Sequence, residues 1–192
     1  MHSDLLLQHI AKHITLSDEQ KEIVSNSFNT KKIRKKQFLS QEGDTAKGPA
    51  FVVKGILRTY SLDKNGVEHI LQFAPPGWWV GDIKSINTQQ PGTLFIDAVD
   101  DTEILWTYKS TLDKLFTDIP ALERFFRILA ENALINYQER LVGNLSFSAM
   151  ERYNAFCIKY PSLTECLPQK YVASYIGVTP EFLSKMLKTV KA

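Results

Sequence analysis

Apolar residues in this chain recur at helical spacing near both ends and in short alternating runs between them. Ser17-Asp18-Glu19-Gln20 reads as an N-cap with a capping-box glutamine, so a short helix is expected to about Phe28. From Ile33 to about Tyr108 the texture is β-like. Phe51–Leu57, Leu57–Leu62, Val67–Phe73 and Thr93–Val99 are runs rich in branched and aromatic residues, separated by turns. Asp63-Lys64-Asn65-Gly66 predicts a type I′ hairpin, because asparagine and glycine tolerate positive φ. Many strands at this spacing imply a compact antiparallel barrel or sandwich of about 75 residues.

Helical spacing returns after Ser110. Thr111–Thr117 predicts one short helix, and Ile119-Pro120 opens a much longer one to about Leu145. Leu122, Phe126, Leu129, Ala133, Tyr137 and Leu141 form its stripe, widened by Phe125, Ile128, Leu134 and Val142. A stripe so wide exceeds what one small β-domain can cover. Part of it is therefore expected to meet the same helix in a second subunit. A further helix over Ser148–Tyr160 and a turn through Pro161 and Pro168 lead to the last segment.

Gln169–Ala192 fits a helix-turn-helix at nearly every diagnostic position. Val172, Ala173 and Ile176 share a face, with Ala173 small where two helices cross, and Gly177 sits where the turn needs positive φ. Val178 points back to the core, and Thr179-Pro180-Glu181 is an N-cap, first-turn proline and first-turn acid. Leu183, Met186, Leu187 and Val190 give the second helix one buried stripe. Its other face offers Glu181, Ser184, Lys185 and Lys188 to base edges and phosphates, with Gln169, Lys170 and Thr179 nearby. The expected partner is double-stranded DNA.

Charge refines this reading. The net charge is +2, but from Phe147 onward six basic residues face three acidic ones, which suits local phosphate contacts. The run Lys31–Lys36 is expected to be the solvated face of an edge strand. Two cysteines, Cys157 and Cys166, follow no metal spacing and are expected to be reduced thiols of a cytoplasmic protein. Of four histidines only His69 lies in the β region, so a cupin-like barrel enzyme, which needs several ligands there, has little support. No enzyme activity, metal or cofactor is expected, and no apolar run is long enough to span a membrane.

β-barrel, long helix, helix-turn-helix: in that order the chain resembles the cyclic-AMP receptor protein/FNR family of bacterial transcription regulators. Val142-Gly143-Asn144-Leu145-Ser146-Phe147 is similar to that family's hinge, and Ile176–Lys185 to its turn and recognition helix. Gly77–Ile83 is similar to the strand and turn entering its phosphate-binding cassette. The resemblance implies an α+β fold with an N-terminal antiparallel β-roll (1–118), a dimerisation helix (119–146) and a winged-helix-like helix-turn-helix domain (147–192). It also implies a homodimer, with RNA polymerase as a further partner. A ligand pocket would draw on Trp79, Asp82, Thr93 and Gln138, with Trp78, Phe73 and Phe95 as aromatic walls.

Two departures matter. Nucleotide-binding members carry Gly-Glu and later Arg-Ser/Thr-Ala in the cassette; here Gly81-Asp82 keeps a shortened acid, and glycine stands at the arginine position in Gly92-Thr93-Leu94. No arginine occurs between Arg58 and Arg124, and Gln138 and Glu139 fall where the long helix would meet the base. Cyclic-nucleotide binding is therefore not expected, the alternative being a responsive regulator with a divergent pocket. The recognition helix offers Pro180, Glu181 and Lys185 where the cyclic-AMP receptor protein uses arginine, glutamate and arginine. The iron–sulfur branch needs cysteines that are missing before Cys157.

Overall fold

The structure, a computed structural model, describes residues 3–191, with side chains to Thr189 in the last helix. The chain forms two compact units: residues 1–61 with 71–130, and residues 62–70 with 131–192.

The first unit opens with α1 (Asp4–Ala11) and α2 (Asp18–Asn26). Ser17 caps α2 as its sequence predicts: its Oγ accepts from Gln20 N at 3.2 Å, and Gln20 Oε1 accepts from Ser17 N at 3.0 Å. Strands β1 (Asn29–Ile33), β2 (Phe38–Ser40), β3 (Ala50–Lys54), β4 (Leu57–Leu62), β5 (Glu68–Ala74) and β6 (Trp79–Val80) follow. Then come the short α3 (Ile83–Thr88), β7 (Phe95–Ala98), β8 (Thr102–Trp106), α4 (Lys109–Asp118) and the long α5 (Ala121–Ser146). Two antiparallel sheets result, in strand orders β1-β8-β3-β6 and β2-β7-β4-β5.

Alternation along β3 organises two cores. Val52 joins Ile33, Leu57, Val80, Ile96 and Ile104 between the sheets, whereas Phe51 faces Leu6, Ile10, Val24, Leu112, Leu115 and Phe125 on the helices. A strand buried on both faces carries no polar alternation, which is why Phe51-Val52-Val53 reads as a continuous apolar run. Truncating the wholly buried Phe51 to alanine costs about 3–5 kcal/mol, the range for emptying an aromatic site.

One turn differs from expectation. Residues 63–66 do form the hairpin loop, but Gly66 alone takes positive φ, at 77°, and Asn65 does not. The Asp63 carboxylate accepts from Asn65 N (2.8 Å) and Val67 N (3.0 Å), and Gly66 N donates to Asp63 O. These bonds hold a three-residue connection, a turn followed by one left-handed glycine, in place of a type I′ turn. The same amides hold the Asp63 carboxyl below the usual carboxylate range.

In the second unit α6 (Ala149–Lys159) starts on a Ser148/Glu151 capping box, and a 3-10 turn (Pro161–Leu163) leads to α7 (Gln169–Ile176) and α8 (Pro180–Lys191). Phe156, Tyr160 and Tyr175 form an aromatic triangle with ring centroids 5.5–5.6 Å apart, completed by Leu163, Val172 and Leu183.

Candidate nucleic-acid interface and sensor cavity

The turn between α7 and α8 is built by two local devices. Gly177 takes φ 72°, and Val178 N reaches back to Ala173 O at 3.0 Å, closing α7 with a Schellman bond. Thr179 Oγ1 then accepts from Phe182 N at 3.2 Å, starting α8. Ala173 is wholly buried at the crossing, Leu183 is buried, and Met186 and Leu187 are half-buried beside it. The Val190 side chain, expected in the same stripe, lies outside the described residues. On the opposite face Thr179, Glu181, Lys185 and Lys188 are exposed and Ser184 is half-buried, while Gln169 and Lys170 are exposed at the start of α7. Phe182 also stands half-exposed beside this face, an apolar group that periodicity alone does not single out.

What orients the pair of helices is not local. Arg140 of α5 donates from Nη2 to Tyr175 O (2.9 Å) and Ile70 O (2.6 Å), and its guanidinium lies 4.2 Å over the Tyr175 ring. Arg152 of α6 donates from Nε to Ile176 O (2.8 Å) and from Nη1 to Phe147 O (2.7 Å). Both cations therefore meet the last carbonyls of α7, where the helix dipole is negative. Ser174 completes the anchorage: its Oγ donates to Glu68 O (2.6 Å) and accepts from Ile70 N (3.0 Å), as a neighbouring strand would. Beside these contacts a cleft of about 660 Å³ is lined by Val142, Phe147, Phe156 and Lys159 among others. Burial, then the Arg140 charge, push the Lys159 ammonium pKa down, against the pull of Glu139.

In the first unit, Asp82 caps α3. Its carboxylate accepts from Ser85 N (3.0 Å) and Thr93 N (3.2 Å) and is nearly inaccessible. A Cβ placed on Gly92 would lie 2.6 Å from Asp82 Oδ2, so the two segments meet without room for a side chain. Arg58 is buried and bound in two places to Asp97, at 2.7 and 2.8 Å, which leaves it no free fork for a phosphate. Next to Gly81 and Asp82 a cavity of about 340 Å³ opens.

Residues 30–118 match the cyclic nucleotide-binding domain family. The regulatory protein HlyX of Actinobacillus pleuropneumoniae is 26% identical over 90% of this chain and 76% of its own length. In sequence and fold the chain is similar to regulators of the CRP/FNR family. Among solved structures, FixK2 from Bradyrhizobium japonicum shares the fold with a TM-score of 0.75 at 21% identity, over 85% of this chain and 84% of that one. The regulator CLP of Xanthomonas campestris, described as c-di-GMP responsive, does so with a TM-score of 0.74 at 13% identity, over 91% and 92%.

Two of the four pocket residues read from sequence, Asp82 and Thr93, are brought together within the first unit. Asp82 and Thr93 are joined by a hydrogen bond, with Asp82 on the 340 Å³ cavity. Trp79 packs instead against Phe51 and Phe126 at 5.2 and 5.0 Å, in the helix-facing core. Gln138 belongs to the second unit and lines its 660 Å³ cleft. Of the aromatic walls, Phe73 is wholly buried and Phe95 stacks on Tyr60. Sequence reading missed Arg140, Arg152 and Ser174, whose partners lie up to 106 residues away. Among the described residues no cluster of three metal-ligating side chains occurs, and no helix is long and apolar enough to cross a membrane.

Proposed function

We propose that this chain is a sequence-specific DNA-binding transcription regulator, acts as a homodimer in the cytoplasm and has no enzyme activity. The observation that carries the reading is α8 itself, anchored through α7 on one side and free on the other, with Glu181, Ser184 and Lys185 outward. Glutamate accepts from cytosine N4, and lysine donates to guanine O6 or N7. Thr179 leaves first-turn amides for a phosphate, and Gln169, Lys170 and Lys188 extend the backbone contacts. In this reading residues 147–192 bind DNA and residues 119–146 join two copies. Residues 1–118 are the sensor, and RNA polymerase is a further partner.

Dimerisation is supported by the C-terminal half of α5. Leu134, Ile135, Tyr137, Leu141, Val142 and Leu145 are each more than half exposed, an apolar surface that a lone helix would not keep in water. The sensor is read as unresponsive to cyclic nucleotides, because Asp82 is spent on its own loop and no free arginine faces it. Selection of bound sequences from a random DNA pool, followed by gel shift, tests the whole. A near-palindrome with half-sites about one helical turn apart is expected, and no enriched sequence refutes it.

A further inference from the structure

The inter-sheet core of the first unit stops short of one end of the roll. The cavity of about 340 Å³ there is walled by Leu39, Ala50, Val80, Ile96 and Trp106. Strand register explains the gap. Trp106 and Ala50 are cross-strand partners, so they share a face, and alanine fills little of the space beside the indole.

Two cations edge this apolar space, and they come from separate elements. Lys31 pairs in register with the buried Ile104, two residues before the buried Ile33, so it stands on the inward row of β1. β1 is an edge strand and Lys31 is exposed, as expected of the run Lys31–Lys36, and Lys31 also lines this cavity. Inward lysines do protect edge strands from pairing, but Lys47 lies on the loop before β3, where that purpose is absent. Neither ammonium has an ion-pair partner among the described residues. The acids at the cavity are already engaged: Asp44 accepts from Gln41 N, and Asp82 from Ser85 and Thr93. Thr59, the cross-strand partner of the lining residue Ile96, has a buried hydroxyl with no hydrogen-bond partner.

We propose that this cavity binds a small organic acid, its apolar body between the sheets against Trp106 and its carboxylate between Lys31 and Lys47. The volume sits at the lower end of the range for ligand pockets, about 300–1,000 Å³. The inference rests on residues 30–118 acting as a sensor, and not on the DNA contacts.

The test is calorimetric titration of the full chain, without DNA, with sodium octanoate and with 1-octanol as the uncharged match. Saturable octanoate binding is expected, with the alcohol at least about tenfold weaker. The exposed pair Lys31→Met and Lys47→Met, made together, should lower octanoate affinity about tenfold at an unchanged melting temperature. Ala50→Leu should abolish binding by filling the space, and if that variant unfolds, the lysine pair still decides. Equal binding of acid and alcohol, unchanged affinity in the lysine variant, or no saturation up to about 1 mM octanoate overturns the proposal. A failed gel shift counts against the DNA reading alone, since no DNA enters this titration.

Discussion

Arg140 grips Tyr175 twice, through its carbonyl at 2.9 Å and over its ring at 4.2 Å. A planar guanidinium makes the ring contact and the carbonyl bonds at once, so lysine keeps the charge but not the fit. Arg140→Lys should lose about 1.5–3 kcal/mol, the scale of hydrogen bonds to a charged group. Urea unfolding followed through tyrosine fluorescence reads this, and an unchanged midpoint would remove Arg140 from the anchorage.

Lys185→Ala should weaken binding to the selected DNA site by about 1–3 kcal/mol and relax preference at one base pair. Lys170→Ala should weaken all sequences alike and reduce the salt slope by about one, as a phosphate contact does. Gel shifts over a salt series separate the two. Equal effects on specific and random DNA by both variants contradict the roles assigned.

Leu141→Glu with Leu134→Glu should convert a dimer at about 1 μM to monomers, because charge is placed in the middle of an apolar face. Sedimentation velocity decides it. A parent chain that sediments as a monomer at that concentration, with or without DNA, ends the dimer reading.

Cyclic AMP and cyclic GMP should show no binding at physiological levels, and Gly92→Arg should not install it. The new Cβ would press on the Asp82 carboxylate 2.6 Å away, an overpacking that costs about 1–3 kcal/mol. Titration of both nucleotides into parent and variant is the check, and low-micromolar affinity in the parent contradicts the reading.

The helix-facing core should be sensitive to acid. His9 packs against Phe51 and Phe125, and burial, followed by the charges of Lys12 and His13, holds its pKa below the usual 6.5. A base with a lowered folded pKa binds more protons when unfolded, so its contribution is complete above 6.5 and is lost as pH falls from there through the lower folded pKa. His9→Leu should flatten the melting temperature between about pH 7 and pH 5. A parent whose melting temperature holds level across that window would count against the assignment.

How much could be read in advance depended on distance along the chain. The caps at Ser17 and Thr179 and the glycine of the α7–α8 turn were legible because each acts within four residues. The loop at 63–66 was legible as a hairpin but not as a turn type, since the Asp63 side chain overrode the habit of Asn65-Gly66. Trp79 looked like a pocket wall because an aromatic run does not say which face it serves. The row of Trp106, Ala50, Ile104 and Lys31 exists only through the registers of β1, β3 and β8, which no spacing in one sequence encodes.

Strand β5 closes its sheet, so one side of it has no strand neighbour. Such a side invites strands of other chains, and proteins that leave it bare tend to stick together. Here Ser174 and Arg140 occupy Glu68 O, Ile70 N and Ile70 O. Helix α7, proposed to support DNA reading, and α5 thus double as a shield against fibre-like stacking. Cutting the chain after Ser146 would keep Arg140 on Ile70 O but bare Glu68 O and Ile70 N, and light scattering of that fragment should rise with concentration where the full chain stays clear.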